Sequence, residues 1–442
     1  MVLKKVSMVS LGCSKNLVDA EQMLGLLEGA GFEIVDNEED ADIMIVNTCA
    51  FIDAAKQESI DCILEHAGIK SGKNGRILVV TGCMGQRYKE EILKEMPEVD
   101  IVIGTNEYDK IAEILRSHID GECELHCSDE YMGCSDLKRV VTTPPYTAYL
   151  KIAEGCDNRC TYCVIPSIRG SYRSRRFEEI IEEAKSLVSR GVKELVVIAQ
   201  DTTRYGMDLY GEYRLPQLLR ELCRIDGAEW IRVHYCYPEL VTDELIDTVA
   251  GEEKICSYFD IPIQHCNDKI LKLMGRKTNK EQITGLIKKL REKIPEVVIR
   301  TSLIVGFPTE TDEQFAELRD FVADTCFDRL GVFAYSCEEG TPAARMDGQI
   351  DDETKRDRQE MIMVEQAEVS ERLNSSKVGN IYRVLTEGYD NIIKQYYGRT
   401  YADSADIDGK VFFTSGKKLS DGDFVDVRIS DYMEYDLYGK AL

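Results

Sequence analysis

Two long stretches of this chain repeat one pattern, a short apolar run followed by an amphipathic segment, and this repetition constrains the fold most strongly. In the first stretch, from residue 3 to about residue 118, apolar runs predict buried strands at residues 6–11, 43–46, 77–80 and 101–103. Between them, apolar residues recur at helical spacing, for example over residues 19–27, 53–64 and 86–95. Strands that alternate with helices predict an α/β domain, in which helices cover both faces of a parallel sheet.

The same pattern resumes between about residues 146 and 336. It predicts six further strands, at residues 148–152, 195–199, 231–235, 259–263, 298–305 and 330–335. Six βα units suit a partial TIM-like (βα)6 barrel, whose active-site loops follow the carboxyl ends of its strands.

The remaining segments have other patterns. Residues 121–143 form a polar linker, and Pro144 and Pro145 mark the start of the next domain. Residues 351–376 have the apolar spacing of one amphipathic connecting helix. From residue 377 to 442, four or five short strands separated by Gly and Asp turns predict a small antiparallel β-barrel of OB-like size. We therefore expect a sheet domain over 1–120, a barrel domain over 144–350 and a terminal domain over 377–442.

Composition places the chain among cytoplasmic globular proteins. No run of eighteen apolar residues is present, and the first residues lack the hydrophobic core of a signal peptide. Sixteen cysteines in 442 residues do not resemble a disulfide framework, which belongs to short secreted domains. In the cytosol, a surplus of cysteines more often indicates metal binding or catalysis.

Three cysteines stand close together in the segment GCDNRCTYCVIP. Cys156, Cys160 and Cys163 form a C-x3-C-x2-C motif. Each thiolate could bind one iron of a cubane iron–sulfur cluster, whose complete ligation is four cysteines. Three ligands would leave one iron open to a small molecule. The alternative is a zinc site, but zinc ligands usually come in C-x2-C pairs, and no second pair follows at finger spacing.

Three more cysteines share a position in the βα pattern. Cys13, Cys49 and Cys83 each lie just past the carboxyl end of a predicted strand, 36 and 34 residues apart. Parallel strands bring those ends to one edge of the sheet, which is where open α/β sheets bind ligands. The alternative is that each is a small buried residue in a tight turn. The repeated placement favours a second three-cysteine cluster, whereas Cys62 lies inside a helix and does not share it.

The linker carries a further group of thiols. Cys123, Cys127, Cys134 and His126 could bind a metal, but they lack the strand-and-turn context of the other two sites. We expect solvated loop thiols there.

These motifs resemble those of the radical S-adenosylmethionine (SAM) superfamily, which shares the C-x3-C-x2-C spacing. Two three-cysteine sites followed by a small terminal barrel are similar to the methylthiotransferases of that superfamily, over essentially the whole chain. That family has an N-terminal cluster domain, a radical SAM barrel and a C-terminal TRAM domain. Five segments resemble the branch that modifies ribosomal protein S-twelve: LGCSKNLVDAEQ, NTCAFIDAAKQES, TGCMGQRY, AQDTTRYG and IPIQHCNDKILKLMGR.

The resemblance implies two [4Fe-4S] clusters and S-adenosyl-L-methionine as cofactors. Cys13, Cys49 and Cys83 would hold the auxiliary cluster, and Cys156, Cys160 and Cys163 the SAM-cleaving cluster. The implied reaction consumes two SAM molecules and adds a methylthio group to the β-carbon of an aspartate in protein S-twelve, with electrons from a donor such as flavodoxin or ferredoxin. Cys266 and Cys337 match no ligand position of the family.

Other polar residues follow the barrel strands. They are Gln200-Asp201-Thr202, Gln264-His265 and Gly306-Phe307-Pro308, which we expect to line one rim and contact SAM or substrate. Residues 169–176 carry four arginines, of which Arg173 and Arg175 suit recognition of a carboxylate or phosphate. Arg176 is equally well explained by a surface ion pair. We expect Gln200, Gln264, Arg173 and Arg175 to be cofactor-binding residues.

Two alternative functions remain open at this point. One is methylthiolation of a tRNA adenosine, as in the MiaB-like branch of the family; the other is a non-catalytic iron–sulfur carrier or ribosome-binding module. The net charge of −25 disfavours nonspecific binding to nucleic acid. From residue 379 onwards, eight Lys and Arg stand against eleven Asp and Glu. An RNA-binding barrel would normally have a basic, aromatic face, so this balance favours a basic protein partner.

Overall fold

The computed structural model describes residues 4–72, 75–118, 123–128 and 139–442. Its first part is a parallel α/β sheet, as the alternating pattern predicts. The sheet order is β2-β1-β3-β4-β5-β6, and every pair is parallel. The elements are β1 (Lys5–Ser10), α1 (Ser14–Gly29), β2 (Glu33–Ile34), β3 (Ile43–Thr48), α2 (Asp53–Ser71), β4 (Ile77–Gly82), α3 (Cys83–Tyr88), α4 (Glu90–Glu95), β5 (Ile101–Ile103), α5 (Ile111–Ser117) and β6 (Glu124–His126).

The second part contains the six predicted parallel strands, paired in the order β14-β13-β12-β11-β10-β7. The chain passes through β7 (Thr147–Lys151), β8 (Ala153–Glu154), α6 (Ile165–Arg169), β9 (Arg173–Ser174), α7 (Phe177–Ser189), β10 (Glu194–Ile198), α8 (Met207–Tyr210), α9 (Leu215–Cys223), β11 (Trp230–Val233), α10 (Asp243–Gly251), β12 (Ile255–Asp260), α11 (Asp268–Leu273), α12 (Lys280–Lys293), β13 (Val298–Val305), α13 (Asp312–Thr325) and β14 (Arg329–Ala334). Because β7 and β14 do not pair, the sheet is an open partial barrel.

A long helix then leads to a closed five-stranded barrel. Helix α14 (Asp352–Ser375) matches the predicted connecting helix within a residue at each end. The barrel strands are β15 (Ile381–Asp390), β16 (Gln395–Arg399), β17 (Val411–Thr414), β18 (Phe424–Tyr432) and β19 (Leu437–Ala441), in the order β15-β16-β17-β19-β18. The predicted fold class is therefore confirmed, with one difference: β17 and β19 pair in parallel.

Two local predictions were wrong. The predicted helix over 86–95 is two helices, because Lys89 adopts a left-handed φ of 44° and interrupts the hydrogen-bond ladder. The predicted polar linker contains the strand β6, which pairs with β5 and extends the sheet. This strand has only three residues, all half-buried, and such a short edge strand has no apolar run to announce it.

The terminal barrel is fixed to the amino-terminal end of the partial barrel. Arg399 donates to Glu194 at the start of β10 over 2.6 Å, and Arg329 at the start of β14 pairs with Asp403 over 2.5 Å. The loop after β16 is buried, and Ser404 Oγ lies 2.9 Å from His234 Nε2. The terminal domain therefore closes the base of the partial barrel and leaves the carboxyl ends of its strands open.

The part of the chain that the structure describes contains no helix with the length and apolar character needed to cross a membrane.

Candidate active site

The first group of cysteines lies at one edge of the N-terminal sheet. Cys13 is the N-cap of α1, Cys49 directly follows β3, and Cys83 is the first residue of α3 after β4. Cys49 and Cys83 are buried, whereas Cys13 is exposed. The structure thus brings together the three cysteines that the βα pattern places at neighbouring strand ends.

Two buried asparagines tie the loops of this edge to each other. Asn16 Nδ2 donates to the carbonyl of Leu11 over 2.8 Å and to that of Thr48 over 3.2 Å. Asn47 Nδ2 donates to the Asn16 carbonyl over 2.8 Å. The loop that carries Cys13 is therefore fixed to the loop that carries Cys49.

The backbone before Cys13 packs directly on Cys49. Gly12 has a φ of +86°, and a Cβ at this position would lie 2.6 Å from Cys49 Cβ and 2.8 Å from its Sγ. Ser59 on α2 holds the other side of Cys49, accepting from its backbone N–H over 3.1 Å and donating to its carbonyl over 2.9 Å. Only glycine fits this approach, because a side chain would displace the thiol.

The thiols of this group influence each other electrostatically. Burial, together with the negative charge of Cys83 and Cys13, raises the pKa of Cys49 to about 12. Burial also raises the pKa of Cys83, and the nearby Arg169 guanidinium opposes that rise. Buried thiols that repel each other as thiolates require a positive partner to ionise, and cluster iron is such a partner.

The second group lies at the carboxyl end of the partial barrel. Cys156, Cys160 and Cys163 follow β8, and the first two are buried. The Cys156 N–H donates to the Gly170 carbonyl over 3.1 Å, and the Cys163 N–H to the Cys160 carbonyl over 3.1 Å. Gly155, with a φ of +78°, lies so close to the Ser171 carbonyl that a Cβ would stand 2.1 Å from it. The loop is thus closely packed before any group binds to it.

Burial and neighbouring charge affect these thiols as they affect the first group. Burial, with a smaller contribution from Asp201 and Cys160, raises the pKa of Cys156 to about 11. Burial and the thiolates of Cys160 and Cys156 raise the pKa of Cys163. Arg276 Nη1 is 3.9 Å from Cys160 Sγ, so one fixed cation already stands beside this group.

The two groups meet through helix α6, which directly follows the C-x3-C-x2-C loop. Val164 and Ile168 pack into the N-terminal core beside Cys83. Thr105 Oγ1 in the N-terminal domain donates to the Ile168 carbonyl over 2.9 Å. Arg169, at the end of α6, donates to Cys83 Sγ over 3.4 Å. The loop of the second group is therefore anchored against the first group.

Arg169 also belongs to a buried network of four charges across the domain junction. It pairs with Asp19 of α1 and, over 3.3 Å, with Glu154 of β8. Lys151 of β7 pairs with the same two acids, over 2.9 Å in the case of Glu154. Gln200 Nε2 donates to Glu154 over 2.8 Å. The positive partners lower the pKa of Glu154, despite its burial, so this acid is held ionised.

A second set of ion pairs joins the two domains on another side. Glu338, after β14, accepts from Arg87 of α3 over 2.7 Å and from Lys56 of α2 over 3.0 Å. Its side chain is almost fully buried. The cysteine edge of the sheet and the open end of the partial barrel therefore face each other across a junction held on two sides.

The two arginines and two glutamines that the sequence predicts to bind cofactor differ in their hydrogen-bond partners. Arg175 is held by Glu183 and by the Lys151 carbonyl, and Arg173 donates to the carbonyls of Ser171 and Arg169. Gln264 lies at the rim with a φ of +72° and bridges to β13 through its backbone. Gln200 Oε1 is buried without a hydrogen-bond partner among the described residues.

Sequence reasoning missed Arg169 as a functional residue. It lies in the arginine-rich segment, but the number of arginines in a segment does not show which of them points into the protein. The sequence holds no local signal that this arginine, at the end of the short helix α6, points toward the sheet domain.

The remaining cysteines lie outside these two groups. Cys127 Sγ contacts the Gly85 carbonyl over 3.5 Å, and His126 Nε2 pairs with Glu124 over 2.8 Å. Cys123 is exposed, as expected for a solvated thiol. Cys134 lies outside the described residues. Cys62 lies in α2, Cys266 is fully buried, and Cys337 is exposed.

Each of the two cysteine groups is a donor set of a kind that binds iron–sulfur clusters. Among the described residues, no three His, Cys, Asp or Glu side chains are close enough together to hold one metal ion. A cubane cluster places each thiolate on a different iron, so its ligands stand farther apart than those of zinc. Each group supplies three thiols, and the sequence predicts no further protein ligand for either group.

Comparison with known families divides the chain in the same way. Residues 5–104 match the model described as uncharacterized protein family UPF0004, residues 150–322 match the radical SAM superfamily, and residues 378–442 match the TRAM domain.

Among solved structures, the chain is similar to the radical SAM methyltransferase TsrM from Kitasatospora setae, with a TM-score of 0.56, 15% identity and coverage of 74% of this chain and 72% of that one. It is also similar to the cobalamin-dependent radical enzyme OxsB, with a TM-score of 0.51, 16% identity and coverage of 81% and 56%. These similarities concern the fold alone.

Relatives of known name are similar over the whole length. A protein of Clostridioides difficile (strain 630) is 52% identical over 441 residues and covers 99% of both chains. One from Lachnoclostridium phytofermentans is 52% identical over 441 residues, covering 99% of this chain and 100% of the relative. Both are named ribosomal protein uS12 methylthiotransferase RimO. The chain therefore belongs to the family of the ribosomal protein uS12 methylthiotransferases RimO.

Proposed function

We propose that this protein is a radical SAM methylthiotransferase that adds a methylthio group to the β-carbon of an aspartate in ribosomal protein uS12. The observation that carries the proposal is the placement of two three-cysteine groups on opposite sides of one domain junction, with α6 connecting them. Transfer between two centres requires that both reach the same substrate carbon, and two cysteine groups that face one junction are suited to this requirement.

Six cysteines would hold the cofactors. Cys13, Cys49 and Cys83 would bind an auxiliary [4Fe-4S] cluster, and Cys156, Cys160 and Cys163 a second cluster that binds SAM. When bound, these groups supply a radical able to remove hydrogen from an unactivated C–H bond, together with the sulfur that is transferred.

The protein residues would position these groups. The backbone at Gly12 and Gly155 is too closely packed to accept a side chain, so each cysteine loop is held against its neighbours at this glycine. The buried network of Arg169, Asp19 and Glu154 fixes the relative orientation of the two loops. A displacement of about 1 Å between reacting groups can lower a rate by about two orders of magnitude, so this rigidity matters for the reaction.

Two of the predicted cofactor contacts fit this site. Gln200 Oε1 is a buried acceptor without a described partner, and Gln264 lies on the same rim. We propose that they contact SAM or substrate. The guanidinium group of Arg173 binds the carbonyls of Ser171 and Arg169, and that of Arg175 binds the Lys151 carbonyl and Glu183, so a role of either arginine in cofactor binding stays a prediction.

A protein substrate suits the terminal barrel better than tRNA. Two of its arginines already serve the junction with the partial barrel: Arg399 pairs with Glu194, and Arg383 with Glu229 over 2.8 Å. The acidic side chains of Asp426, Asp431 and Glu434 are exposed. Ribosomal proteins are generally basic, so opposite charge would favour their approach. The reaction would take place in the cytoplasm, with flavodoxin or ferredoxin as electron donor.

The proposal can be tested with purified components. Anaerobically reconstituted protein, SAM and dithionite are incubated with unmodified uS12 or with unmodified tRNA, and both products are analysed by mass spectrometry. We expect a methylthio group on one aspartate of uS12 and none on tRNA. Modification of tRNA instead of uS12 would contradict the substrate assignment, and an absence of 5′-deoxyadenosine would contradict radical chemistry altogether.

A further inference from the structure

Lys15 occupies an unusual position between the two cysteine groups. It is the second residue of α1, two residues after Cys13, and is only 8% exposed. Its Nζ lies 3.4 Å from the centre of the Tyr235 ring. Lys15 therefore begins in the N-terminal domain and ends in the barrel domain.

Tyr235 belongs to the open end of the partial barrel. It follows β11, has a left-handed φ of 59°, and donates its N–H to Asp260 Oδ2 over 3.1 Å. One turn along α1, Val18 packs against Val196 and Ile198 of β10. The ammonium group of Lys15 is thus held where the barrel opens toward the N-terminal cysteines.

Within the described part of the chain, the charge of Lys15 has no matching carboxylate. No carboxylate oxygen of the described residues lies within ion-pairing distance of its Nζ, in contrast to the buried Lys151, which pairs with two acids. The nearby Asp260 is already occupied by Arg300, over 2.8 Å, and by a backbone N–H. Buried lysines are almost always paired, because an isolated buried ammonium group is costly.

We propose that Lys15 binds the side-chain carboxylate of the substrate aspartate and so selects that residue for modification. The inference rests on the proposed function, because it takes a peptide aspartate as the substrate. The carboxylate is bonded directly to the β-carbon, so an ammonium group about 3 Å from the carboxylate oxygens would fix the reacting carbon within a few ångströms. The ring of Tyr235 holds the ammonium from one side and leaves it able to donate to an anion on another side.

A second explanation for Lys15 is charge balance with the thiolate of Cys13. In that case, loss of the lysine would change the iron content or reduction potential of the N-terminal cluster and leave substrate selection intact. The two explanations therefore make different predictions for one set of variants.

The test measures binding of uS12 in two forms, with the modified aspartate intact or replaced by asparagine. Dissociation constants are measured anaerobically by fluorescence anisotropy for wild type, Lys15→Met, Lys15→Gln and Lys15→Arg, each with its iron and sulfide content. Lys193→Met is the matched control, because this lysine binds the Gly422 carbonyl over 2.6 Å at the opposite end of the barrel.

We expect wild type and Lys193→Met to bind the aspartate form about tenfold to a hundredfold more tightly than the asparagine form, as for a hydrogen bond between charged groups. Lys15→Met and Lys15→Gln should reduce that preference to about threefold or less, and Lys15→Arg should restore part of it. A preference that is unchanged in both neutral variants, with or without a change in iron content, would overturn the inference.

The outcome also separates this inference from the proposed function. If wild type modifies uS12 but the neutral variants keep the preference for aspartate, only the role of Lys15 is wrong. If wild type modifies no aspartate of uS12, the proposed function fails, and the role of Lys15 fails with it.

Discussion

The buried charge network at the junction leads to a strong prediction about stability. Arg169 and Lys151 carry two positive charges, and Asp19 and Glu154 carry two negative charges, all in residues that are at most 8% exposed. Replacing Arg169 by methionine keeps a similar volume but leaves one negative charge without compensation in the interior. Removing one partner of a buried ion pair typically costs about 3–5 kcal/mol, because the remaining charge stays desolvated.

This cost should be visible in thermal unfolding. For a unit of 150–250 residues, about 1 kcal/mol shifts the unfolding midpoint by about 2–4 °C, so Arg169→Met should lower it by about 6–20 °C. The assay is circular dichroism at a fixed heating rate on the metal-free protein, which separates the network from any effect of bound clusters. Arg319→Met is the control, because Arg319 is about half exposed and its pair with Glu365 should contribute about 1 kcal/mol or less.

A double variant tests whether charge compensation is the cause. Asp19→Asn combined with Arg169→Met restores neutrality, so the pair should be more stable than the sum of the single effects by about 1–3 kcal/mol. If Arg169→Met lowers the midpoint no more than Arg319→Met does, or if the two effects at Asp19 and Arg169 simply add, the network does not hold the junction.

Two further predictions concern the cysteine loops and the contact between the partial barrel and the terminal barrel. Gly12→Ala would place a Cβ 2.8 Å from the Cys49 thiol, and Gly155→Ala would place one 2.1 Å from a carbonyl oxygen. Each variant should lose one cluster of four irons, which is about half of the iron content of the reconstituted protein. An unchanged iron content in both variants would contradict the close packing. Burial raises the pKa of Glu194, but the positive charges of Arg399 and Arg232 outweigh this effect and hold the pKa at about 2, against an ordinary value of 4.5. The ionised Glu194 therefore contributes about 3 kcal/mol to the free energy of unfolding. This contribution is complete above pH 4.5 and is lost as the pH falls toward 2. Glu194→Gln should flatten the acid side of a plot of unfolding midpoint against pH, and an unchanged slope would show that Glu194 does not contribute.

The sequence predicts most of the fold, because the apolar runs of a buried parallel strand are continuous and easily recognised. It also predicts where the six cysteines lie, since the carboxyl ends of parallel strands share one edge. Their role as cluster ligands stays a prediction. The sequence does not predict the edge strand β6, because Glu124, Leu125 and His126 form no apolar run. Their strand conformation depends on pairing with β5.

Side-chain direction is what sequence reasoning could not supply. Arg169 and Arg175 belong to the same basic segment, yet Arg169 turns toward Cys83 at the end of a helix, whereas Arg175 turns toward Glu183. The pairing of Lys15 with Tyr235 likewise depends on how the two domains meet, which no local pattern records.

The most direct test of the account is the iron and sulfide content of anaerobically reconstituted protein. Wild type is compared with two triple variants, in which either Cys13, Cys49 and Cys83 or Cys156, Cys160 and Cys163 are replaced by alanine. We predict about eight irons and eight sulfides in wild type and about four of each in either triple variant, as expected for two separate cubane clusters. A wild-type content of about four irons, or a triple variant that keeps the wild-type content, would contradict the claim that two clusters face each other across the junction.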